Sequence, residues 1–303
     1  MSTSAASLRF VIGSRQLFAV TRRVQTVSFS LESQFEPRLP DLAAREGPDG
    51  LRILSLPQSL LPNVRQAYPR HIVAAMQAYR RHYIEMDGTY DDYLGKFSGK
   101  TRSTLRRKQR KLMDSYGDGF EIAEFCTAEA MPAFFAEAAT LSRQTYQARL
   151  LDAGLPEGAE AVAAAQVLAA ADRLRAYLLR IDGKAIAYLY LPVEGQTVIY
   201  AYLGYDPEWA GWSPGTVLQM AALERLFGEY RFRYFDFTEG EGAHKALFGT
   251  RWVDACSFYL LRPTLSNRLL AASLGALDGT VAITKAALAR STLAPRLRRM
   301  LKA

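Results

Sequence analysis

Between Asp236 and Lys245 the chain reads DFTEGEGAHK, which sets Asp236, Glu239, Glu241, His244 and Lys245 around two glycines. A carboxylate at Asp236 or Glu239 can hold or deprotonate an acceptor, and an imidazole at His244 can exchange protons near neutral pH. Lys245 can pair with a carboxylate or bind a phosphate. The same residues also have a purely structural reading. Asp236 can cap the following turn, His244 and Lys245 can line a helix surface, and Glu241 can face solvent. A second candidate lies upstream at Gly211-Trp212-Ser213-Pro214-Gly215-Thr216. Pro214 suits a first helical position, Ser213 an N-cap, and Gly215 a point where another group approaches the backbone. The free N–H groups of such a helix start bind phosphate; ordinary capping without a ligand explains the same residues.

Both candidates need strands and helices to hold them. LRAYLLRI, Asp182-Gly183 and KAIAYLYLPV form a hairpin pattern whose turn residues tolerate positive φ. Glu194-Gly195 turns the chain into a third strand, QTVIYAYLGY. A loop, PEWAGWSPG, then leads to a helix, TVLQMAALERLFGEY. The strand RYFDF, the DFTEGEGAHK stretch and a last strand, WVDACSFYLLR, complete the run. The crossover through the helix requires the strand after it, RYFDF, beside the third and parallel to it. Ahead of this core, LRFVI, QTVSFSL and RILSL read as strands, residues 69–81 as a helix and HYIEM as a strand. The first ninety residues have no glycine-rich strand-to-helix turn and receive no catalytic role. Residues 128–150 and 159–173 read as helices joined by DAGLPEG. Residues 263–303 read as two amphipathic helices, either docked on the core or lying on an anionic membrane surface.

Residues 93–113, YLGKFSGKTRSTLRRKQRKLM, carry eight Lys or Arg and no acid, with Leu105, Leu112 and Met113 at helical spacing. This is either a solvated helix face or an anion site for cofactor phosphates, a lipid headgroup or a nucleic-acid backbone. No nucleic-acid module or stacking motif accompanies it, which disfavours nucleic acid.

The 303 residues have a net charge of +8, a pI near 9.5, 49% apolar and 22% charged residues. That composition is globular and favours an anionic partner. Two cysteines, Cys126 and Cys256, and three histidines exclude a disulfide scaffold and a Cys/His zinc module and suit a reducing cytoplasm. No signal-peptide pattern or spanning apolar run is present, so a cytoplasmic protein is expected.

The strand order, the Ser213-Pro214-Gly215 helix start and the DF-x-x-G-x-x-x-x-K spacing resemble the GNAT acyltransferase superfamily. More narrowly, with KTRSTLRRKQRKL ahead of the core, they resemble the CelD/BcsL-type acetyltransferases of cellulose and exopolysaccharide synthesis, which in turn resemble FemAB ligases. The resemblance spans roughly residues 80–262. It implies an α+β (α/β) fold with a mixed, mostly antiparallel sheet flanked by helices. It also implies three parts: a small α/β segment over 1–90, an acyltransferase domain over 91–262 and C-terminal helices over 263–303. By the same resemblance acyl-CoA, or another acyl thioester, is the cosubstrate, and no metal is used. Its pyrophosphate would sit on Ser213, Gly215 and Thr216, and backbone N–H groups of Tyr202, Leu203 and Gly204 would polarise the thioester carbonyl. His244, Glu239, Asp236 and Lys245 are the catalytic candidates. The acceptor would be an envelope-related sugar or lipid amine, with contact to an anionic inner-membrane face. A FemAB-like transferase using charged tRNA and a non-catalytic glycan- or lipid-binding protein are the alternatives. Two departures stand out. Ser213 occupies a position where the superfamily's phosphate loop has glycine, and His244-Lys245 stands where a tyrosine commonly protonates the leaving thiolate.

Overall fold

The structure, a computed structural model, describes residues 4–12, 15–144 and 154–274. Two compact units divide the chain, one of residues 82–252 and one of residues 1–81 with 253–303.

In the second of these, β1 (Ser4–Ile12) pairs antiparallel with β2 (Arg15–Ser28), and β2 pairs parallel with β3 (Gly50–Pro57). β3 in turn pairs antiparallel with β11 (Arg251–Leu261). Leu51, Ile53, Leu56, Phe258 and Leu260 form its core with Val27 and Val64. The helix expected over 69–81 does not form. Those residues enter β4 (Ile72–Glu85), which also absorbs the expected strand HYIEM. Ala, Met and Gln favour a helix locally, but tertiary partners override that preference. An extended strand lets the Tyr79 hydroxyl reach Ser55 Oγ at 2.8 Å and Ser257 Oγ at 2.9 Å. It also lets Arg81 donate to the Phe29 carbonyl at 2.7 Å.

The unit of residues 82–252 begins with α1 (Tyr90–Gly95), α2 (Gly99–Tyr116), β5 (Phe120–Phe125), α3 (Met131–Gln144) and α4 (Ala159–Ala170). β6 (Leu174–Ile181), β7 (Lys184–Glu194), β8 (Thr197–Ile199) and β9 (Tyr202–Tyr205) follow. α5 (Pro214–Gly228), β10 (Tyr234–Asp236) and α6 (Ala243–Phe248) complete it. The strand order is β10-β8-β7-β6-β5, with the end of β4 antiparallel to β10. The β6–β7 hairpin turns on Asp182 and Gly183, at φ 49° and 76°, as its sequence requires. β10 is parallel to β8, the predicted crossover. α5 buries Val217, Leu218, Met220, Ala222, Leu223 and Leu226 against the sheet. The helix expected over 128–150 is present as α3; residues 145–153 lie outside the described residues. Of the expected C-terminal helices, residues 265–274 are helical and the remainder lies outside the described residues.

Candidate active site

The site begins where the sheet opens. β8 and β10 stay paired through Asp236, and the next link is the Tyr200 N–H donating to the Asp236 carbonyl at 2.9 Å. There the Ala201 N–H turns back to the Ile199 carbonyl at 2.9 Å, and the chain resumes as β9, paired with β7. The expected strand QTVIYAYLGY is therefore two strands, and the tight turn at Tyr200–Ala201 is the reason. Past that turn β9 pairs with β7, and β10 has ended at Asp236. The Asp206 N–H donates to the Ile186 carbonyl at 2.9 Å. Antiparallel alternation then commits the N–H groups of Gly204 and Tyr202 to β7 and turns that of Leu203 away from it. Of the three predicted carbonyl-polarising residues, only Leu203 keeps its N–H for another partner.

The strand leads through Pro207–Trp212, a 3₁₀ turn, into α5. Ser213 has φ 55° and ψ 48°, a left-handed conformation natural to glycine, and its side chain makes no capping hydrogen bond. The expected side-chain cap at Ser213 is thus replaced by a backbone role, its carbonyl accepting the Val217 N–H at 3.1 Å. This explains how a serine stands at a glycine position: the backbone bends as the loop demands and the side chain tolerates it. The first-turn N–H groups of Gly215 and Thr216 lack intrahelical acceptors by position. Gly215 is needed for packing, because a Cβ there would lie 2.9 Å from Leu203 Cδ2. The group that approaches its backbone is this side chain of β9. The end of α2 covers the same loop: Lys111 Nζ lies 4.2 Å from the Trp212 ring centroid, and Tyr116 packs on Trp209 and Trp212.

On the other side of the opening, α6 presents His244. Its Nε2 lies 2.6 Å from Gln219 Oε1 of α5 and 3.5 Å from the Tyr200 hydroxyl. Phe248, at 4.7 Å between centroids, and Phe237 enclose the ring. With the Gln219 amide oriented with Oε1 toward the ring, its carbonyl accepts from Nε2–H, and the lone pair is on Nδ1. Burial lowers the His244 pKa, and Lys245 and Lys108 push it further down, so the ring is neutral at neutral pH. Burial likewise raises the Tyr200 pKa, and the hydroxyl keeps its proton. Gln219 is fully buried, and its Nε2 has no partner among the described residues.

The other predicted residues divide. Asp236 is buried at the end of β10, and its Oδ1 accepts the Thr238 N–H at 2.9 Å, the turn-capping role. Lys245 Nζ donates to the Glu239 carbonyl and so closes the turn from which it came. The hydrogen bonds of His244 among the described residues go to Gln219 and Tyr200, and neither Asp236 nor Glu239 joins them. Gln219, Tyr200 and Lys108 were not singled out in the sequence. A lone glutamine amid TVLQMAALERLF was the available signal. Among the described residues no group of three His, Cys, Asp or Glu is placed to hold a metal ion, and no helix is long and apolar enough to cross a membrane.

Residues 99–246 match the family model for an Acetyltransferase (GNAT) domain, a little under half of the chain. No curated protein sequence matches. Among solved structures, that of FemX aligns with a TM-score of 0.51 at 12% identity, covering 86% of this chain and 89% of that one. The structure of L-PGS from Bacillus licheniformis aligns with a TM-score of 0.47 at 12% identity, covering 74% of this chain and 72% of that one. The fold is GNAT-like, an open mixed sheet flanked by helices.

Proposed function

We propose that this chain transfers an acyl group from a thioester, such as acyl-CoA, to an amine or hydroxyl acceptor. The observation that carries the reading is the neutral His244 imidazole, held through Nε2 by Gln219 beside the turn where the chain passes from β8 to β9. The match of residues 99–246 to an acetyltransferase domain supports it.

In this reading the acceptor nitrogen or oxygen attacks the thioester carbonyl carbon, and Nδ1 of His244 takes the acceptor's proton. The Leu203 N–H supports the negative charge that develops on the carbonyl oxygen. The C–S bond then breaks, and the imidazolium returns its proton to the departing thiolate, leaving acylated acceptor and free thiol. Tyr200, which burial keeps protonated, serves as a hydrogen-bond donor. Gly215 and Thr216 N–H groups, with Lys111 nearby, would hold the donor's pyrophosphate. Asp236 and Lys245 would shape the turn, and Glu239 would meet the acceptor. A net charge of +8 and the basic α2 support an envelope-related acceptor, a sugar or lipid amine, reached from the cytoplasmic face of the inner membrane.

Calorimetric titration with acetyl-CoA, palmitoyl-CoA and CoA tests the donor, and His244→Gln tests the proton route. Saturable thioester binding that His244→Gln leaves intact, with turnover lower by about 10²–10⁴-fold, is expected. A folded protein that binds no thioester, or that transfers only from charged tRNA, would overturn the reading.

A further inference from the structure

We infer that the arginine face of α2 docks on an anionic lipid bilayer. At 100° per residue, Gly99, Arg102, Ser103, Arg106, Arg107 and Arg110 share one side of the helix. Leu105 and Leu112, both buried, define the opposite side. The lysines segregate from the arginines: Lys100, Lys108 and Lys111 lie on a flank, where Lys111 meets Trp212 and Lys108 acts on His244. The outer side is thus built of guanidiniums, the group suited to bidentate phosphate contact. They surround an open recess of about 360 Å³.

Little in the protein neutralises this face. Arg106 reaches Asp91 Oδ1 at 3.5 Å, with both side chains exposed. Arg102, Arg107 and Arg110 have no carboxylate partner among the described residues. Arg102–Arg106 and Arg106–Arg110 are like-charge pairs four apart, and Arg107–Arg110 three apart, all of which oppose the helix. A face that needed only to be solvated would mix signs.

Geometry selects the anion. α2 alone lines the recess, so a small soluble phosphate would keep most of its hydration; a planar array of headgroups can engage all four arginines together. No aromatic side chain accompanies them for base stacking. Met113, three residues beyond Arg110 and seven beyond Arg106, lies on the same side and is 46% exposed. Cations with an apolar residue at their edge are what an interfacial helix presents to lipid. This docking does not depend on acyl transfer.

Flotation of the full chain with vesicles tests it, comparing phosphatidylcholine alone with equal parts phosphatidylcholine and phosphatidylglycerol. Binding to the anionic vesicles only, weakened by salt, is expected. The triple variant R102Q/R106Q/R110Q should partition about 100-fold less, roughly fivefold per arginine, with unchanged helical circular dichroism. Met113→Gln should weaken partitioning without altering its salt dependence. Equal binding to both vesicles would overturn the inference. So would unchanged binding of the triple variant, which would put the contact elsewhere. Displacement of the vesicles by single-stranded RNA at equal phosphate concentration would also overturn it, by making this a nucleic-acid face.

Discussion

Two arginine-rich regions of the 82–252 unit invite comparison. Around Arg175 every charge is answered. Its guanidinium grips Glu229 through two bonds of 2.6 and 2.9 Å and reaches Asp172 at 2.8 Å, and Arg231 closes on Asp172 from the other side. Arg175 is almost wholly buried. On the outer side of α2, one of four arginines, Arg106, meets a carboxylate, the exposed Asp91. Counting charges along the chain cannot separate the two regions; their partners do. A buried cation held by its counterions is architecture, because a buried guanidinium left unpaired is costly. A cluster left uncompensated in water carries repulsion that only an outside anion relieves.

Arg175→Met should break the first cluster most severely. It removes the buried cation between Glu229 and Asp172, which keep Arg231, and should cost about 2 kcal/mol of stability, read as a lower urea midpoint. The triple arginine variant of α2, measured the same way, should not lose stability. If both lost equally, the distinction between the clusters would fail.

The same logic applied to His244 predicts a smaller effect. Gln219→Met removes the acceptor at Nε2 and should lower turnover about tenfold, the worth of one hydrogen bond. Nitrogen chemical shifts should show the imidazole losing its single tautomer; a purely structural Gln219 would leave them unchanged.

The pH dependence carries a definite sign. Because burial, Lys245 and Lys108 lower the His244 pKa, the acidic limb of kcat/KM should fall below 6.5. Lys108→Met should move that limb upward. The linked stability is present above the unfolded-state pKa and is lost as pH falls from 6.5 through the folded value. A limb that ignored Lys108 would remove α2 from the electrostatics of the site.

The smallest effect is the sharpest on the repulsive cluster. Arg110→Gln relieves its contacts with Arg106 and Arg107 and should raise stability by about 0.3–0.5 kcal/mol, measured by thermal unfolding. A loss would mean that these arginines find counterions in the folded chain after all.

Much of the core was legible in the sequence because its signals are local. Asp182-Gly183 announced a turn through its positive φ, α5 through Pro214 and a long apolar run, and the parallel neighbours β8 and β10 through the crossover between them. His244 was legible as chemistry, and Asp236 carried both a catalytic and a capping reading. The Thr238 N–H on its Oδ1 is the contact that the capping reading of Asp236 expects, and it arises two residues away in the chain.

By itself, then, the sequence determined which segments could be strands and helices in the core, since dihedral preference and apolar period act within a few residues. It determined the basic count of α2 and the candidate ionisable groups. Only the tertiary structure made residues 72–81 a strand, broke the third core strand at Tyr200, and set Gln219 against His244 from twenty-five residues away. It also decided which arginines have partners. Each of those outcomes rests on a contact between distant residues, and a hydrogen bond or ion pair exists only when the whole fold brings both groups within about 3 Å.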